Sequence, residues 1–388
     1  MPDISTLKSA IEIDIFLRAI FQNNESAILT NVLGGTIHPR LIPEVVAILD
    51  SSPPRMGSWS KDKVYRLLER YFRREPASIK WKLQDALIIS DIYEHVHFFV
   101  DGFTSSALSA HPKLPSSPLS PNERCRIEGA FLRLQLFCNI FREDLEESQD
   151  IFFNNFSYWE NEQLACINDY LESQLRIPFE DVADHDVFWG KMKVTTCQEL
   201  DLDGKCYLQA LIANGLGYIH QLVTASTYEE RREILGLFPS SARYFLTYTL
   251  TDAGDIADCV LSEFYEQQKK GLASKSSLED PDSGPYNAWY WAHAHDDGED
   301  FVFGPDYYGL RYSGYVMWDN WRLSEWNIFS ETFQYRNYHY LPASQSSAHP
   351  WEIRKSWKRR TEIYKLGGRG WWSKDDESKI VWPEKNGT

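Results

Sequence analysis

The sequence predicts an all-α fold: an irregular multi-helix array with an aromatic-rich C-terminal cap of short helices and loops. Two observations indicate this class. Apolar residues recur at helical spacing through most of the first 270 residues, and the alternating β-branched runs typical of strands are almost absent there. The chain has 388 residues, 43% of them apolar and 25% charged, so it can bury one large core or two ordinary ones.

The N-terminal helical region comprises residues 1–107. Its apolar spacing predicts helices over residues 5–22, 43–50, 61–74 and 77–100. A Pro/Ser-rich loop follows at 108–121, because prolines at every third position exclude a helix or a central strand there. The loop is expected to join two helical layers.

The central helical core comprises residues 122–270 and opens with two capping boxes, Ser120 with Glu123 and Ser157 with Glu160. The first helix carries apolar residues on most of its faces, which indicates a central position. The second is expected to end before Pro178, because the residue preceding a proline avoids the helical region. We expect no polar residue on this pair to need a catalytic explanation, and we expect any functional site to lie where the aromatic cap meets the pair.

Three further helices are predicted over 204–225, 227–238 and 251–269, the second opened by Thr227 and Glu230. A polar loop follows at 271–285. The cap at 286–388 then differs in composition, since residues 285–388 hold ten of the fourteen tryptophans and ten of the twenty-one tyrosines. The rings either anchor an irregular segment on the helices or line a groove for a ligand or partner. All five regions are expected to form one structural unit.

The formal net charge of −16 disfavours binding to nucleic acid and to anionic membranes, both of which require a basic surface. The N-terminus lacks the basic flank and apolar run of a signal peptide, so a cytoplasmic or nuclear location is expected. Scattered cysteines without a C-x-x-C pair agree with free structural thiols. They are Cys125, Cys138, Cys166, Cys197, Cys206 and Cys259.

One basic stretch stands out in this acidic chain. Between Arg354 and Arg369, seven lysines and arginines accompany a single acidic residue, Glu362. The stretch forms either a solvated or internally paired surface, or a nuclear-import patch or a site for an acidic partner.

The main candidate for chemistry is the cluster His293-Ala-His295-Asp296-Asp297. Its H-x-H-x-D pattern resembles the start of the metallo-β-lactamase zinc motif, so His293, His295 and Asp297 are candidate metal ligands. The alternative is an acidic loop with two incidental histidines, since Gly298 stands where that motif has a further histidine. We find no nucleophile elbow and no complete phosphate loop, and we expect no cofactor.

Three separated blocks resemble a large group of fungal proteins of unassigned function, often associated with an F-box. They are E-R-C-R-I-E-G-A-F-L-R-L-Q-L-F-C at 123–138, W-E-N-E-Q-L-A-C-I-N-D-Y-L at 159–171 and G-Y-V-M-W-D-N-W-R-L at 314–323. S-A-I-L-T-N-V-L at 26–33, with His38-Pro39, is similar to the N-terminal part of the same group. The resemblance spans about residues 5–330 and implies no catalytic residues.

We therefore expect a non-enzymatic intracellular interaction or regulatory protein with a protein partner. An F-box recruits the adaptor of a cullin ubiquitin ligase, but the sequence starts within the region that normally follows the F-box. A cullin-ligase adaptor is thus not expected as the partner. The alternative is an accessory enzyme or small-molecule-binding protein of a fungal secondary-metabolite pathway, which the aromatic cap and nearby histidines would serve.

Overall fold

The computed structural model is all-α, as predicted. It describes residues 4–74, 79–110, 117–141, 152–183, 185–187, 205–236, 245–253, 280–295, 301–304, 307–330, 350–372 and 376–384. Within these ranges the only pairing of extended backbone is two isolated bridges, Asp186 with Trp371 and Arg369 with Val381. In the same residues no single helix is long and apolar enough to cross a membrane.

The chain forms two compact units. The first comprises Met1–Asp169 and Leu246–His339, and the second comprises Tyr170–Phe245 and Tyr340–Thr388. The boundary at residue 169 falls within one helix.

The helices of the first unit are as follows: α1 Ile4–Ile13, α2 Ile15–Gly34, α3 Ile42–Ser51, α4 Pro53–Met56, α5 Lys61–Arg73, α6 Leu83–Ser109, α7 Pro121–Phe141, the first part of α8 Tyr158–Ala183, α12 Thr247–Asp252, α13 Gly284–His293, α14 Tyr308–Tyr312 and α15 Asn320–Glu325. Short 3₁₀ turns lie at Pro39–Leu41 and Ile328–Ser330.

Helix α7 is the centre of the first unit. It packs on α3 and α6, and every residue from 125 to 134 is buried. Phe131 is fully buried and stacks on Phe99, with ring centroids 5.9 Å apart. The predicted central position of this helix is therefore confirmed.

Both predicted capping boxes in the core are confirmed. The Ser120 hydroxyl accepts a bond from the Glu123 amide at 3.1 Å, and the Glu123 carboxylate accepts one from the Ser120 amide at 2.9 Å. Ser157 and Glu160 make the same pair of bonds at 3.4 and 3.0 Å. These side chains satisfy amide groups that the first turn of a helix leaves unpaired.

The second unit contains the rest of α8, α9 Lys205–Ile212, α10 Leu216–Thr224, α11 Tyr228–Gly236 and α16 Pro350–Lys365. Val187, Ile363, Trp372 and Ile380 form a buried cluster that joins α16 to the segment after it. Arg231 of α11 pairs with Asp181 of α8 at 2.8 Å. The capping box of Thr227 and Glu230 is confirmed by two hydrogen bonds of 3.2 Å.

Three helix predictions need correction. The predicted helix over 5–22 breaks at Asp14, and the one over 204–225 breaks at Gly215, whose φ of +83° glycine adopts without steric cost. Helix α8 continues past Pro178 to Ala183. The proline removes one helical hydrogen bond, and the burial of Phe179 and Val182 beyond it offsets that loss.

Other helix ends differ by a few residues. The helix predicted over 77–100 begins at Leu83 and runs to Ser109, whereas Ile42–Ser51 and Lys61–Arg73 agree closely with the predictions. Most of the helix predicted over 251–269 lies outside the described residues, as does most of the loop around 112–115.

Cys125, Cys138 and Cys166 are free and buried, as expected for structural thiols.

Replacing Phe131 with alanine should lower the free energy of unfolding by roughly 3–5 kcal/mol, because the change leaves a cavity in the core. Urea unfolding of both proteins measures this loss. Phe98→Ala is the matched control, since Phe98 lies on the neighbouring helix and is 42% exposed, and it should cost clearly less than the change at Phe131. Equal losses in the two variants would contradict a central α7.

Glu44 predicts a pH dependence of stability. It is fully buried beside Arg74, 3.0 Å away, and burial raises the pKa of its carboxyl although Arg74 opposes the shift. At pH values between the ordinary pKa of 4.5 and the raised pKa, the Glu44 carboxyl is protonated in the folded chain and ionised in the unfolded chain. Stability from this group therefore falls as pH rises through that window.

Urea unfolding of wild type and Glu44→Gln across pH 4 to 8 tests this effect. The glutamine mimics the protonated acid, so the variant should gain stability relative to wild type as pH rises, by about 1.4 kcal/mol for each unit of pKa difference. A difference that stays constant with pH would show that Glu44 is charged in the folded protein.

Candidate functional site

The junction between the α7–α8 pair and residues 280–330 is where the sequence pointed for a functional site. The pair carries many buried polar residues, whose contacts need a structural explanation. Residues 125–134 and 159–172 are all buried, and charged side chains lie among them. The buried charged residues of the pair are Glu123, Arg126, Glu128, Arg133, Glu160, Glu162, Asp169 and Glu172.

Glu123 and Arg322 form a fully buried ion pair. The guanidinium Nε donates to Oε1 at 2.7 Å, and Nη2 donates to Oε2 at 2.8 Å. Glu123 also accepts the amide hydrogen of Asp319 at 3.0 Å. Arg322 reaches the carbonyl oxygens of Ser117 and Pro118 as well, so one bidentate pair fixes three chain segments.

Arg126 makes the second connection, one helical turn further along α7. Its Nη1 lies 2.7 Å from an Asp319 oxygen and 3.0 Å from the carbonyl oxygen of Met317. Its Nε and Nη2 bind the two oxygens of Asp280, the latter at 3.0 Å. The guanidinium is thus enclosed by two carboxylates that come from the segments before α13 and before α15.

Arg311 connects α14 to α8. Its Nε donates to Asp169 at 2.6 Å, its Nη1 donates to the carbonyl oxygen of Gly304 at 2.7 Å, and Glu162 lies 3.6 Å away. Glu162 also accepts the amide hydrogen of Phe303 at 2.7 Å. Phe303 has a φ of +60°, a conformation uncommon for a bulky residue, and this hydrogen bond helps to hold it.

These contacts explain what the buried charges do. Each named arginine binds both a carboxylate and a backbone carbonyl, so its donors serve to join α7 or α8 to the segments at 280–330. Such pairs fix position and register, whereas a pair set up for proton transfer would need access to a substrate. The geometry therefore supports a structural role for the junction.

The aromatic rings at the junction contact one another. Trp289 is fully buried and stacks on Tyr158 at 5.4 Å, while Trp159 lies edge-on to Tyr286 at 5.3 Å. Trp318 and Trp326 make a further edge contact at 5.7 Å. The aromatic-rich clusters expected from composition are thus present, and the first two of these ring pairs connect α8 to α13.

The structure separates the histidines of the candidate metal site. His293 is buried at the end of α13, where its Nε2 lies 3.1 Å from the hydroxyl of Tyr315 and its ring packs on Tyr307 at 4.3 Å. His295 is exposed, and Asp297 lies outside the described residues. Among the residues that are described, no group of three metal-ligating side chains occurs.

A cysteine–histidine contact, missed from the sequence, joins α7 to the turn before α3. Cys125 Sγ lies 3.4 Å from His38 Nδ1, and the same nitrogen accepts the amide hydrogen of Arg40 at 3.3 Å. Burial raises the pKa of the Cys125 thiol to about 11, so it stays protonated at neutral pH. A protonated, buried thiol is a poor nucleophile. The His38 ring caps the 3₁₀ turn by accepting from Arg40, so its role is structural.

The candidate functional site that the structure offers is a surface, the α1–α2 corner, formed by residues 12–20. All nine residues are exposed. Five of them are large and apolar, with side chains between 43% and 86% exposed: Ile13, Ile15, Phe16, Leu17 and Ile20. Isolated exposed apolar residues are ordinary, whereas a contiguous group marks an interaction surface.

Local hydrogen bonds fix the α1–α2 corner. Asp14 has an extended backbone, and its carboxylate caps α2 by accepting the amide hydrogens of Phe16 and Leu17 at 2.7 and 3.1 Å. Arg18 donates to the carbonyl oxygens of Ile11 and Glu12 at 3.0 and 2.8 Å, which completes the end of α1. The apolar side chains are therefore presented by an ordered backbone.

The sequence contains a pattern that predicts this corner, although the helical spacing of apolar residues alone does not reveal it. Ile13, Ile15, Phe16 and Leu17 are nearly consecutive, so they cannot all lie on the single buried stripe of an amphipathic helix. Asp14 between them is a favourable capping residue. Together these features predict a break and an excess of apolar surface.

The fold and this surface define an all-helical protein with a charged, buried framework and an exposed apolar helix corner. Comparisons of the chain with protein-family models, with curated proteins and with solved structures found no match.

Replacing Glu123 with glutamine should cost roughly 3–5 kcal/mol of stability, because it leaves the buried Arg322 guanidinium without its countercharge. Thermal and urea unfolding measure the loss. Glu69→Gln is the matched control, since Glu69 pairs with Arg73 on the surface of α5, and this change should cost about 0.5 kcal/mol or less. Similar small losses in both variants would show that the Glu123–Arg322 pair is dispensable.

Proposed function

We propose that this protein is a non-enzymatic interaction protein that inserts its α1–α2 corner into an apolar groove of a partner protein. The exposed apolar corner is the observation that carries the proposal. Phe16, Leu17 and Ile20 stand at positions i, i+1 and i+4 of one helix, so they share a face of α2. A convex apolar helix face is the element that helix-in-groove recognition uses.

The charges favour a protein groove over a lipid surface. Within the corner, Asp14 and Arg18 are engaged in capping the two helices, and Glu12 is the third charged residue, so the surface offers no cluster of cations for an anionic bilayer. The chain as a whole carries −16, which opposes adsorption to an anionic bilayer. Two copies of so acidic a chain also repel each other. A partner with a largely apolar groove is the occupant that fits.

Two further points support this proposal. Arg126, Arg311 and Arg322 bind carboxylates of the junction, and the described rings there pack together, as a structural core requires. The resemblance to fungal proteins that are often associated with an F-box, a protein-binding module, favours the same proposal. We also propose a cytoplasmic or nuclear location, where free thiols such as those of Cys125, Cys138 and Cys166 stay reduced.

Site-specific photo-crosslinking in the native host tests the proposal. A crosslinking amino acid at position 16 or 20 should capture one protein that the same group at position 98, an exposed phenylalanine on α6, does not capture. The captured protein, once purified, should bind the wild-type chain directly. Phe16→Ser combined with Ile20→Ser should weaken that binding at least about tenfold, and Phe98→Ser should leave it unchanged.

Three results would contradict the proposal: crosslinks to lipid alone, a homodimer that dissociates in the double variant, or no captured protein above the position-98 control. Circular dichroism and thermal unfolding of the variants establish that they are folded. The replaced side chains are exposed, so both properties should match wild type.

A further inference from the structure

The α1–α2 corner belongs to a longer helical segment that few side chains attach to the rest of the first unit. This segment, the N-terminal arm, comprises residues 4–23, which are α1 and the first part of α2. Its buried residues are Ile4, Ile11 and Phe21. Between residues 12 and 24, all of which the structure describes, Phe21 is the only buried residue. Attachment of the arm therefore depends on a small amount of buried apolar surface.

Hydrogen bonds inside the N-terminal arm join its two helices. The Asp14 carboxylate caps α2, and the Arg18 guanidinium binds carbonyl oxygens at the end of α1. The Asp14 amide donates to the carbonyl oxygen of Ala10 at 3.0 Å, and the Arg18 amide donates to that of Asp14 at 3.0 Å. Each of these bonds begins and ends within the arm. A movement of the arm as one piece leaves all of them intact.

The second part of α2 is attached in a different way. Leu29 is fully buried and Leu33 is 3% exposed. The Glu25 carboxylate accepts the amide hydrogen of Leu83, the first residue of α6, at 2.9 Å. This bond satisfies an amide that the first turn of α6 leaves unpaired. From residue 25 onward, α2 is thus fixed both by apolar packing and by a polar contact with α6.

The backbone of α2 is broken at Asn24, between these two parts. Asn24 has φ −135° and ψ 23°, which is not helical. Its side-chain amide donates to the carbonyl oxygen of Ile20 at 3.1 Å, and that of Asn23 donates to the carbonyl oxygen of Ala19 at 3.0 Å. Carbonyl oxygens at the end of a helix need such donors. The first part of α2 therefore has its own satisfied end, and the break is a natural position for a hinge.

We propose that the N-terminal arm pivots about Asn24 as one piece. In the closed position, which the structure shows, Ile4, Ile11 and Phe21 are buried. In the open position these three side chains leave the rest of the first unit and extend the apolar surface of the α1–α2 corner. A partner that contacts the added surface binds the open position more tightly and shifts the population toward it. This regulatory role rests on the proposed function, whereas the pivot itself does not.

Distances between pairs of spin labels in the full-length protein measure the pivot. Labels at 20 and 98 join the arm to α6, labels at 30 and 98 join the second part of α2 to the same point, and labels at 8 and 20 both lie in the arm. All four positions are exposed. Labels introduced as unnatural amino acids leave the native cysteines unmodified.

Phe21→Ala removes part of the buried surface that holds the arm closed. It should raise the population of a longer 20–98 distance at least about tenfold. The 30–98 and 8–20 distances should stay unchanged, because the pivot moves the arm as one piece about Asn24. Phe16→Ala is the matched control: Phe16 lies on the same helix and is 77% exposed, so its loss should leave all three distances unchanged.

Ile11→Ser is a second variant, on the α1 side of the attachment, and should shift the 20–98 distance in the same direction. Circular dichroism establishes that each variant is folded. An unchanged 20–98 distance in both variants would overturn the pivot. A broadened 8–20 distance would overturn it as well, because the arm would then unfold, and a shifted 30–98 distance would show that Asn24 is not the hinge.

Photo-crosslinking from position 11 tests whether the partner uses the open arm. A crosslinking amino acid there should capture the same protein as one at position 16, whereas position 29, which is buried beyond the hinge, should capture none. Capture from 16 without capture from 11 would overturn the regulatory role. Absence of capture from 16 would contradict the proposed function, and the spin-label distances would still decide the pivot.

Discussion

The structure of the first unit depends on the buried ion pair between Glu123 and Arg322. Glu123 caps α7, the central helix, and the same carboxylate holds Arg322 and the amide of Asp319. One side chain therefore couples the start of the central helix to a segment nearly 200 residues later in sequence. Desolvating two charges is costly, so the pair favours this one arrangement in which both are satisfied and disfavours alternatives that separate them.

Arg126 and Arg311 repeat the same solution along the two central helices. Each guanidinium binds at least one carboxylate and a backbone carbonyl of an irregular segment, that of Met317 for Arg126 and that of Gly304 for Arg311. Buried carbonyls need donors, and the planar guanidinium supplies several in a fixed geometry. The aromatic rings then fill the remaining volume. This explains how a segment rich in proline, glycine and tryptophan can be ordered without a sheet.

The α1–α2 corner differs from this buried framework. Its large apolar side chains are exposed, and its backbone is held by the capping bonds of Asp14 and Arg18. The junction therefore uses its charges for internal packing, whereas the corner leaves apolar side chains in contact with solvent.

The sequence by itself determined the fold class, the central position of α7 and the capping boxes at Ser120, Ser157 and Thr227, because these follow from apolar periodicity and hydrogen bonds within one turn. Contacts between distant residues leave no such local pattern. The pairing of Glu123 with Arg322, the continuation of α8 past Pro178 and the burial of His293 were therefore decided by tertiary packing. The α1–α2 corner was determined in part by each. Asp14 in the sequence predicts the break between the two helices. Whether the apolar side chains are exposed depends on how the other helices pack, so it is known only from the tertiary structure.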